Sequence, residues 1–526
     1  MKILGISSFS HESSCSLISD EGIQGVFEEE RFNRIKHTWE FPKQALQQCL
    51  SQTHTPIDTI DHFTFFWNPQ EEIFRNIGHF IKFFPASLNL LQSRAVSNGL
   101  PFINRIISKT NIARNIRSQF QLPQLPKVHF IEHHLCHAAS AFLVAEYDEA
   151  ANLTSDGRGE STTTLLALGR GNKIQKLDEI RVPHSLGHLY AAITSYLGFK
   201  PFSDEWKVMG MSAYGKPTFV EEFKNLVRLK NNGRFELNLK YFQFHTHGQE
   251  KWVSPQFVNQ FGESRLPHET LEQKHYDIAY ALQKLIEETG VALANALYTI
   301  TQQPNLCLTG GVALNCLMNR AIIEQTPFKK VFIQPIANDA GTSLGSALYF
   351  YHQILNKPRK FLFDSVYLGP GYSTDEVKKF LDQHKMKYYR SKDICQEAAQ
   401  FLKQGKIVGW FQGRMEAGPR ALGHRSILAD PRDSNIKDRL NLIVKKRESF
   451  RPFAPSVLEE RVHEYFLMPK GQLSPYMILV GDVREEKKPF LPAVTHADGT
   501  ARVHTVNQRT NPKFWQLIYE FEQLTQ

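Results

Sequence analysis

The sequence lacks paired cysteines. Its six Cys (Cys15, Cys49, Cys136, Cys307, Cys316 and Cys395) contain no C-x-x-C spacing. That excludes a cysteine zinc ribbon, a thioredoxin-type motif and a disulfide scaffold. Long apolar runs are missing too. The stretch FIKFFPASLNLL is interrupted and far below the ~18 residues of a membrane span. The first residues, MKILGISSFSHESS, turn polar after a short apolar run and form no signal-peptide core. No Walker A loop, GxGxxG fingerprint, low-complexity tract or short-period repeat is present. With 41% hydrophobic and 22% charged residues, wholesale disorder is excluded as well. What is left is a soluble, cytoplasmic protein of 526 residues and formal charge +9. That length is enough for two to four domains, and the charge favours anionic partners.

Along the chain, strands alternate with helices, which predicts an α/β fold. Residues 2–7 read as a strand and CSLISDEGIQGVFEEE as a hairpin turning at Asp20-Glu21-Gly22. FPKQALQQCL reads as a helix entered through Pro42, and residues 60–66 as another strand. PKVHFIEHHLCHAASAFLVA runs from a strand into a small-residue helix. ANLTSDGRGESTTTLLALGRG is strand, Gly turn, strand. YDIAYALQKLIEETGVALANALYTI is the clearest amphipathic helix. NLCLTGGVALNCLMNRAIIEQ and VFIQPIANDAGTSLGSALYFYHQIL each read strand, loop, helix. Turn chemistry after residue 355 marks a domain boundary, giving 1–355 and 356–526. Residues 68–119 read as a helical insertion with seven Lys/Arg against two Asp/Glu. A solvated basic face, an acceptor surface and a dimer surface are the alternatives there.

Four constellations could carry chemistry. His133 and His137 are four apart and share one helix face, within reach of one metal ion or as packing histidines. Asp156 in SDGRGE and Asp339 in ANDAGT would complete a His₂Asp₂ set suited to Fe(II), Mn(II) or Zn(II). Turn formation and helix capping are the alternatives for the two aspartates. Gly310 and Gly311, between a strand and a helix, offer backbone N–H groups to an anion or form a structural turn. Residues 414–451 hold ten Lys/Arg and five Asp/Glu, including Arg414, Arg420, Arg425, Lys445, Arg447 and Arg451. Interleaved with Gly, Pro and Phe, such a cluster suits bidentate phosphate recognition. Internal bridges to Glu416, Asp430 and Glu448 are the alternative, and a nucleic-acid groove is less favoured. Finally, PAVTHADGTAR offers His496, Asp498 and Arg502 around a Gly turn, suited to polar ligand recognition or to a capped β-turn.

Together these motifs resemble the O-carbamoyltransferase family, which includes antibiotic and nodulation-factor carbamoyltransferases. SHESS, EEERFNRIKH, HHLCHAASAF, DGRGE, DEWKVMGMSAYGKP, LTGGVALNC, NDAGTSLGSAL, GRMEAGPRALGHRSILADPR, RESFRPFAP and PAVTHADGTAR follow in family order. Ser10, Trp206 and His424 depart from residues common in that pattern. The resemblance implies an N-terminal domain similar to threonylcarbamoyltransferases, of the sugar-kinase/actin-type ATPase superfamily, and a YrdC-like α/β C-terminal domain. It implies His133, His137, Asp156 and Asp339 as metal ligands, iron(II) first and Mn or Zn as alternatives. It also implies His11, Lys207 and Arg447 as catalytic, with His11 taking the acceptor's hydroxyl proton. Lys207, Gly310, Gly311, Asn315 and Asn338 would form the adenylate pocket. Arg414, Arg420, Arg425, Lys445, Arg447, Arg451, His496 and Arg502 would bind carbamoyl phosphate and Mg-ATP.

The expected activity is therefore ATP-dependent transfer of a carbamoyl group, through carbamoyl adenylate, to a hydroxyl of a small-molecule or sugar acceptor. Two rivals use the same folds. A sugar-kinase-like phosphotransferase would release ADP and leave the 414–451 cluster idle. A tRNA-modifying threonylcarbamoyl-type enzyme would bind RNA with steep salt dependence. The expected partners are ATP, carbamoyl phosphate and the acceptor, with no nucleic acid, no membrane span, and a homodimer as the oligomeric expectation.

Overall fold

The run KILGIS forms β1 (Lys2–Ser7), whose side chains are buried on both faces, as central strands require. It pairs antiparallel with β2 (Ser14–Ser19), which turns at Asp20-Glu21 into antiparallel β3 (Gly22–Glu28). On its other side β1 pairs parallel with β4 (His62–Phe65), followed by parallel β5 (Val128–Phe130). The computed structural model describes residues 1–93 and 102–525 in two units, Met1–Phe363 and Asp364–Gln526. The division falls just beyond the boundary expected near residue 356.

A second sheet repeats the first. β6 (Glu149–Ser155), β7 (Thr162–Arg170) and β8 (Lys173–Arg181) form an antiparallel meander. After a small hairpin of β9 (Val227–Leu229) and β10 (Phe235–Leu237), the strands β11 (Asn305–Thr309) and β12 (Lys330–Ile333) add in parallel beside β6. The orders β3-β2-β1-β4-β5 and β8-β7-β6-β11-β12 are the same topology built twice. The unit has the expected α/β fold. The duplication is invisible in residue identities because only the pattern of pairing is kept.

Two small-residue helices, His133–Phe142 and Ala340–Tyr349, lie back to back within this unit. Glycine permits the approach. A Cβ on Gly345 would lie 1.8 Å from the Cys136 carbonyl oxygen, and one on Gly5 2.0 Å from that of Ser343. Hydroxyls complete the seam. Ser14 Oγ donates to the Ala340 carbonyl at 2.7 Å, and Thr64 and Ser346 hydroxyls meet at 2.9 Å.

The insertion is helical as expected, over Pro69–Lys82, Asn89–Gln92, Phe102–Thr110 and Ile112–Phe120; its residues 94–101 lie outside the described residues. The apolar stripe of its first helix points outward, with Phe74 73% and Ile81 68% exposed. The helix docks instead through polar groups. Buried Glu72 takes the Trp67 indole N–H at 2.8 Å and the Lys109 ammonium at 3.1 Å. Asn76 donates to the Glu160 carbonyl at 2.7 Å.

The second unit holds the antiparallel pair β13 (Val408–Phe411) and β14 (Arg425–Leu428) and a sheet ordered β15-β18-β17-β16. Those strands are Ser456–Leu458, Thr500–Val506, Leu479–Val483 and Phe466–Leu467, and only the β15/β18 pair is parallel. Helices Ile394–Lys403 and Pro512–Thr525 close a core around Trp410, Val506 and Phe514.

Candidate metal centre and cation cluster

The helix His133–Phe142 begins where Glu160 accepts the His133 backbone N–H at 3.1 Å. The same carboxylate accepts the Asn68 N–H at 2.8 Å. One buried acid thus ties the insertion, the His133 helix and the loop after β6 together. Helical spacing then sets both imidazoles side by side, fully buried, with Nε2 atoms 3.1 Å apart. Asp156, at the end of β6, reaches His133 Nε2 at 3.1 Å and His137 Nε2 at 3.7 Å. Asp339 comes from the start of the other buried helix, 3.5 and 3.6 Å from the same nitrogens. It occupies the N-cap position yet makes no capping hydrogen bond, so its carboxylate is spent on the histidines. Asp156 likewise does more than turn the chain.

All four donors lie within 4.8 Å of one another. Two imidazole nitrogens facing each other across two carboxylates fit a divalent cation of the N/O-preferring class. Without one, protons substitute. Burial alone would push His137 down, but bonds and charges from Asp156 and Asp339 raise it to about 9. Burial would raise Asp156, yet the two histidines hold it well below the usual carboxylate range.

Gly310 ends β11 with φ +91°, and a Cβ there would lie 2.2 Å from the Ser155 carbonyl oxygen. Only glycine fits. The Gly311 N–H donates to Asp156 Oδ1 at 3.0 Å, so this turn positions a candidate ligand. The expected anion site at the following helix start is filled from within. Asn315 caps the helix through the Met318 N–H and exchanges amide bonds with Gln283 at 3.0 and 2.9 Å. Asn338 Oδ1 is buried with no hydrogen-bond partner and stays available to a ligand.

His11 lies in the loop between β1 and β2. Its Nε2 is 2.9 Å from the Phe202 carbonyl oxygen, and its ring stacks on His37 at 4.8 Å. Burial disfavours its charge, but Glu12 overcomes this and raises His11 to about 9. At neutral pH the imidazole is therefore protonated in the free protein. Lys207 sits on the helix Glu205–Ser212, 3.2 Å from Asp204 and over the Phe199 ring. Its neighbour Glu205 lies in the DEWKVMGMSAYGKP motif, which by itself assigns it no role. Burial raises this carboxyl to about 7. Glu12, His37 and Glu160 were missed in the same way. Their motifs were legible, but nothing in spacing distinguishes them from surface charges.

In the second unit the arginines separate into two groups. Arg414 donates to the Leu368 and Gly369 carbonyls. Arg425 spreads its donors over the Gln412, Gly413, His424 and Pro370 carbonyls and stacks 3.6 Å from Phe411. These two brace the turns. Of the expected internal bridges, Arg432–Asp430 forms at 2.7 Å and Arg451–Glu448 at 3.3 Å. Glu416 instead accepts the backbone N–H groups of Leu422, His424 and Arg425. The second group is mutually repulsive. Burial first, then Arg451 and Arg502, bring Arg447 down to about 10. Burial with Arg447 and Arg451 lowers Lys445. His496 is lowered to about 4 by burial, with Arg502 and Lys437 acting against the opposing Asp498. Arg420 has its Nε buried in this same unit. Cations held this close are stabilised by a polyanion.

Comparison with known proteins matches both units. Residues 2–348 match the family described as Carbamoyltransferase N-terminus, and residues 399–526 match Carbamoyltransferase C-terminus. The uncharacterized protein sll1178 of Synechocystis sp. is 40% identical, covering 99% of this chain and 89% of that one. Nodulation protein NolNO of Sinorhizobium fredii is 35% identical over 98% of this chain and 73% of its own. Among solved structures, T. kodakarensis HypF is similar at 12% identity and TM-score 0.34, over 66% of this chain and 47% of that one. No described helix is long and apolar enough to cross a membrane. With both family matches lying in order along the chain, this protein belongs to the carbamoyltransferase family.

Proposed function

We propose that this carbamoyltransferase is ATP-dependent and transfers to a hydroxyl of a small-molecule or sugar acceptor. In this reading the C-terminal unit is YrdC-like and makes carbamoyl adenylate. Carbamoyl phosphate is hydrolysed to carbamate and phosphate; a carbamate oxygen then attacks the α-phosphorus of ATP and pyrophosphate leaves. The observation that carries the reading is the repulsive cluster of Lys445, Arg447, Arg451 and Arg502, which two polyanionic substrates would neutralise. Preorganised guanidinium groups stabilise the charge gathering on the departing phosphate oxygens.

Transfer belongs to the N-terminal unit. An ion held by His133, His137, Asp156 and Asp339, iron(II) by preference, supplies a Lewis acid for the carbamoyl carbonyl or an adenylate oxygen. Asn338, whose Oδ1 is buried without a hydrogen-bond partner, takes up an adenylate polar group. Glu205 is the better proton acceptor for the attacking hydroxyl, because its carboxyl titrates near neutral pH whereas His11 already holds a proton. AMP leaves as the carbamate ester forms. The test is to mix the protein, ATP and carbamoyl phosphate without acceptor. Pyrophosphate and carbamoyl adenylate are expected, and no ATP turnover refutes the proposal.

A further inference from the structure

Beside the His₂Asp₂ set lies a second group of metal-ligating atoms. His11 Nδ1, the Glu12 carboxylate and His37 Nδ1 belong to one set whose donor atoms all fall within 4.8 Å. The three residues come from two segments, the β1–β2 loop and the stretch after the short helix Glu30–Asn33. Their geometry differs from that of an ordinary ion pair in three respects. First, Glu12 uses one oxygen only. Oε1 meets His37 Nδ1 at 2.9 Å, whereas Oε2 is 3.8 Å from His11 Nδ1 and has no hydrogen-bond partner although the side chain is nine-tenths buried. An oxygen left so costs free energy that a bound cation would recover. Second, the orientation of the His11 ring is set. Its Nε2–H donates to the Phe202 carbonyl, which turns Nδ1 toward Glu12, where a bound cation would take the place of the proton on that nitrogen. A backbone carbonyl on the far nitrogen is the usual support of a metal-ligating histidine. Third, among the described residues the ion-pair partners of Glu12 are these two imidazoles, with no lysine or arginine supplying a fixed positive charge.

We propose that His11, Glu12 and His37 bind a second divalent transition-metal ion, of the zinc or iron(II) class. Two imidazoles and one carboxylate suit such an ion and leave coordination positions open to water or a substrate oxygen. Bonds of about 2.0–2.2 Å need only a small contraction of the present spacing. The backbone carries strain at the site. Glu12 has φ +55°, His37 +57° and Phe202 +60°, a region that non-glycine residues occupy at a cost. The proposal does not depend on the nucleotide chemistry above.

Equilibrium dialysis of the full-length protein against excess zinc chloride, with bound metal counted per chain, tests it. The wild-type chain should hold two zinc ions. His37→Ala and His133→Ala should each hold one, and the double variant none. Glu12→Gln should weaken one of the two sites at least tenfold. A wild-type stoichiometry of one, lost entirely in His133→Ala, overturns the proposal, as does a His37→Ala chain that still holds two. A readout independent of variant folding is anomalous diffraction at the zinc edge from wild-type crystals. A peak flanked by His11, Glu12 and His37 is expected, and its absence at saturating zinc overturns the proposal.

Discussion

Glu205→Gln probes the proton acceptor and the stability of the fold in one substitution. The folded chain raises this carboxyl from 4.5 to about 7, mainly by burial. Holding the carboxyl that far above its ordinary value corresponds to roughly 3 kcal/mol. Because the folded value is raised, the native state is at its best below the unfolded value of 4.5. It loses stability as pH climbs through 7 and the buried group ionises. Glutamine mimics the neutral acid and can still accept the Phe202 N–H, which lies 2.5 Å from Glu205 Oε1. The variant should therefore match the wild type near pH 4.5 and exceed it by roughly 2–3 kcal/mol at pH 8. Urea unfolding of the N-terminal unit's signal at pH 5, 6.5 and 8 measures this. Carbamoyl transfer should fall by about 10²–10⁴-fold while pyrophosphate release from ATP is unchanged. Wild-type transfer should itself rise with pH up to about 7 as Glu205 loses its proton. Equal pH slopes of stability in the two proteins, with transfer intact, would refute both the buried carboxyl and its role.

Three further outcomes are expected. Arg447→Ala should abolish carbamoyl adenylate formation yet leave transfer from supplied carbamoyl adenylate largely intact, followed by pyrophosphate release and acceptor mass gain. Metal uptake at the His₂Asp₂ centre must displace the proton that His137 holds up to about 9, so apparent affinity should rise about tenfold per pH unit from 7 toward 9. Gly345→Ala, whose Cβ would lie 1.8 Å from the Cys136 carbonyl oxygen, must push the two central helices apart. A loss of more than about 3 kcal/mol by urea titration is expected, with metal retention falling in parallel.

Much of this was written in local pattern. Helical spacing placed His133 and His137 on one face, and flanking glycines and strands located Asp156 and Asp339 at the ends that face them. The hairpin at Asp20-Glu21-Gly22 and the long helix, which spans Gln273–Thr301, followed from alternation and periodicity. What periodicity could not show was which side of a helix meets protein. The helical spacing of Phe74, Ile77 and Ile81 marks one face of this helix without saying what covers it; the face is exposed, and the helix docks through Glu72 and Asn76. Nor could it sort the arginines. Arg425 and Arg447 look alike in composition, yet one is consumed by backbone carbonyls and the other faces like charges. Burial decided the protonation of Glu205, and the neighbouring Glu12 that of His11, which no motif encodes.

The doubled sheet sets two candidate sites at one topological position. In the first copy the turn between β1 and β2 carries His11 and Glu12; in the second, the turn between β6 and β7 carries Asp156 and Glu160. These turns are equivalent positions of one topology. One pattern of pairing therefore gives both the His₂Asp₂ set and the His11, Glu12 and His37 group a member at the same strand end.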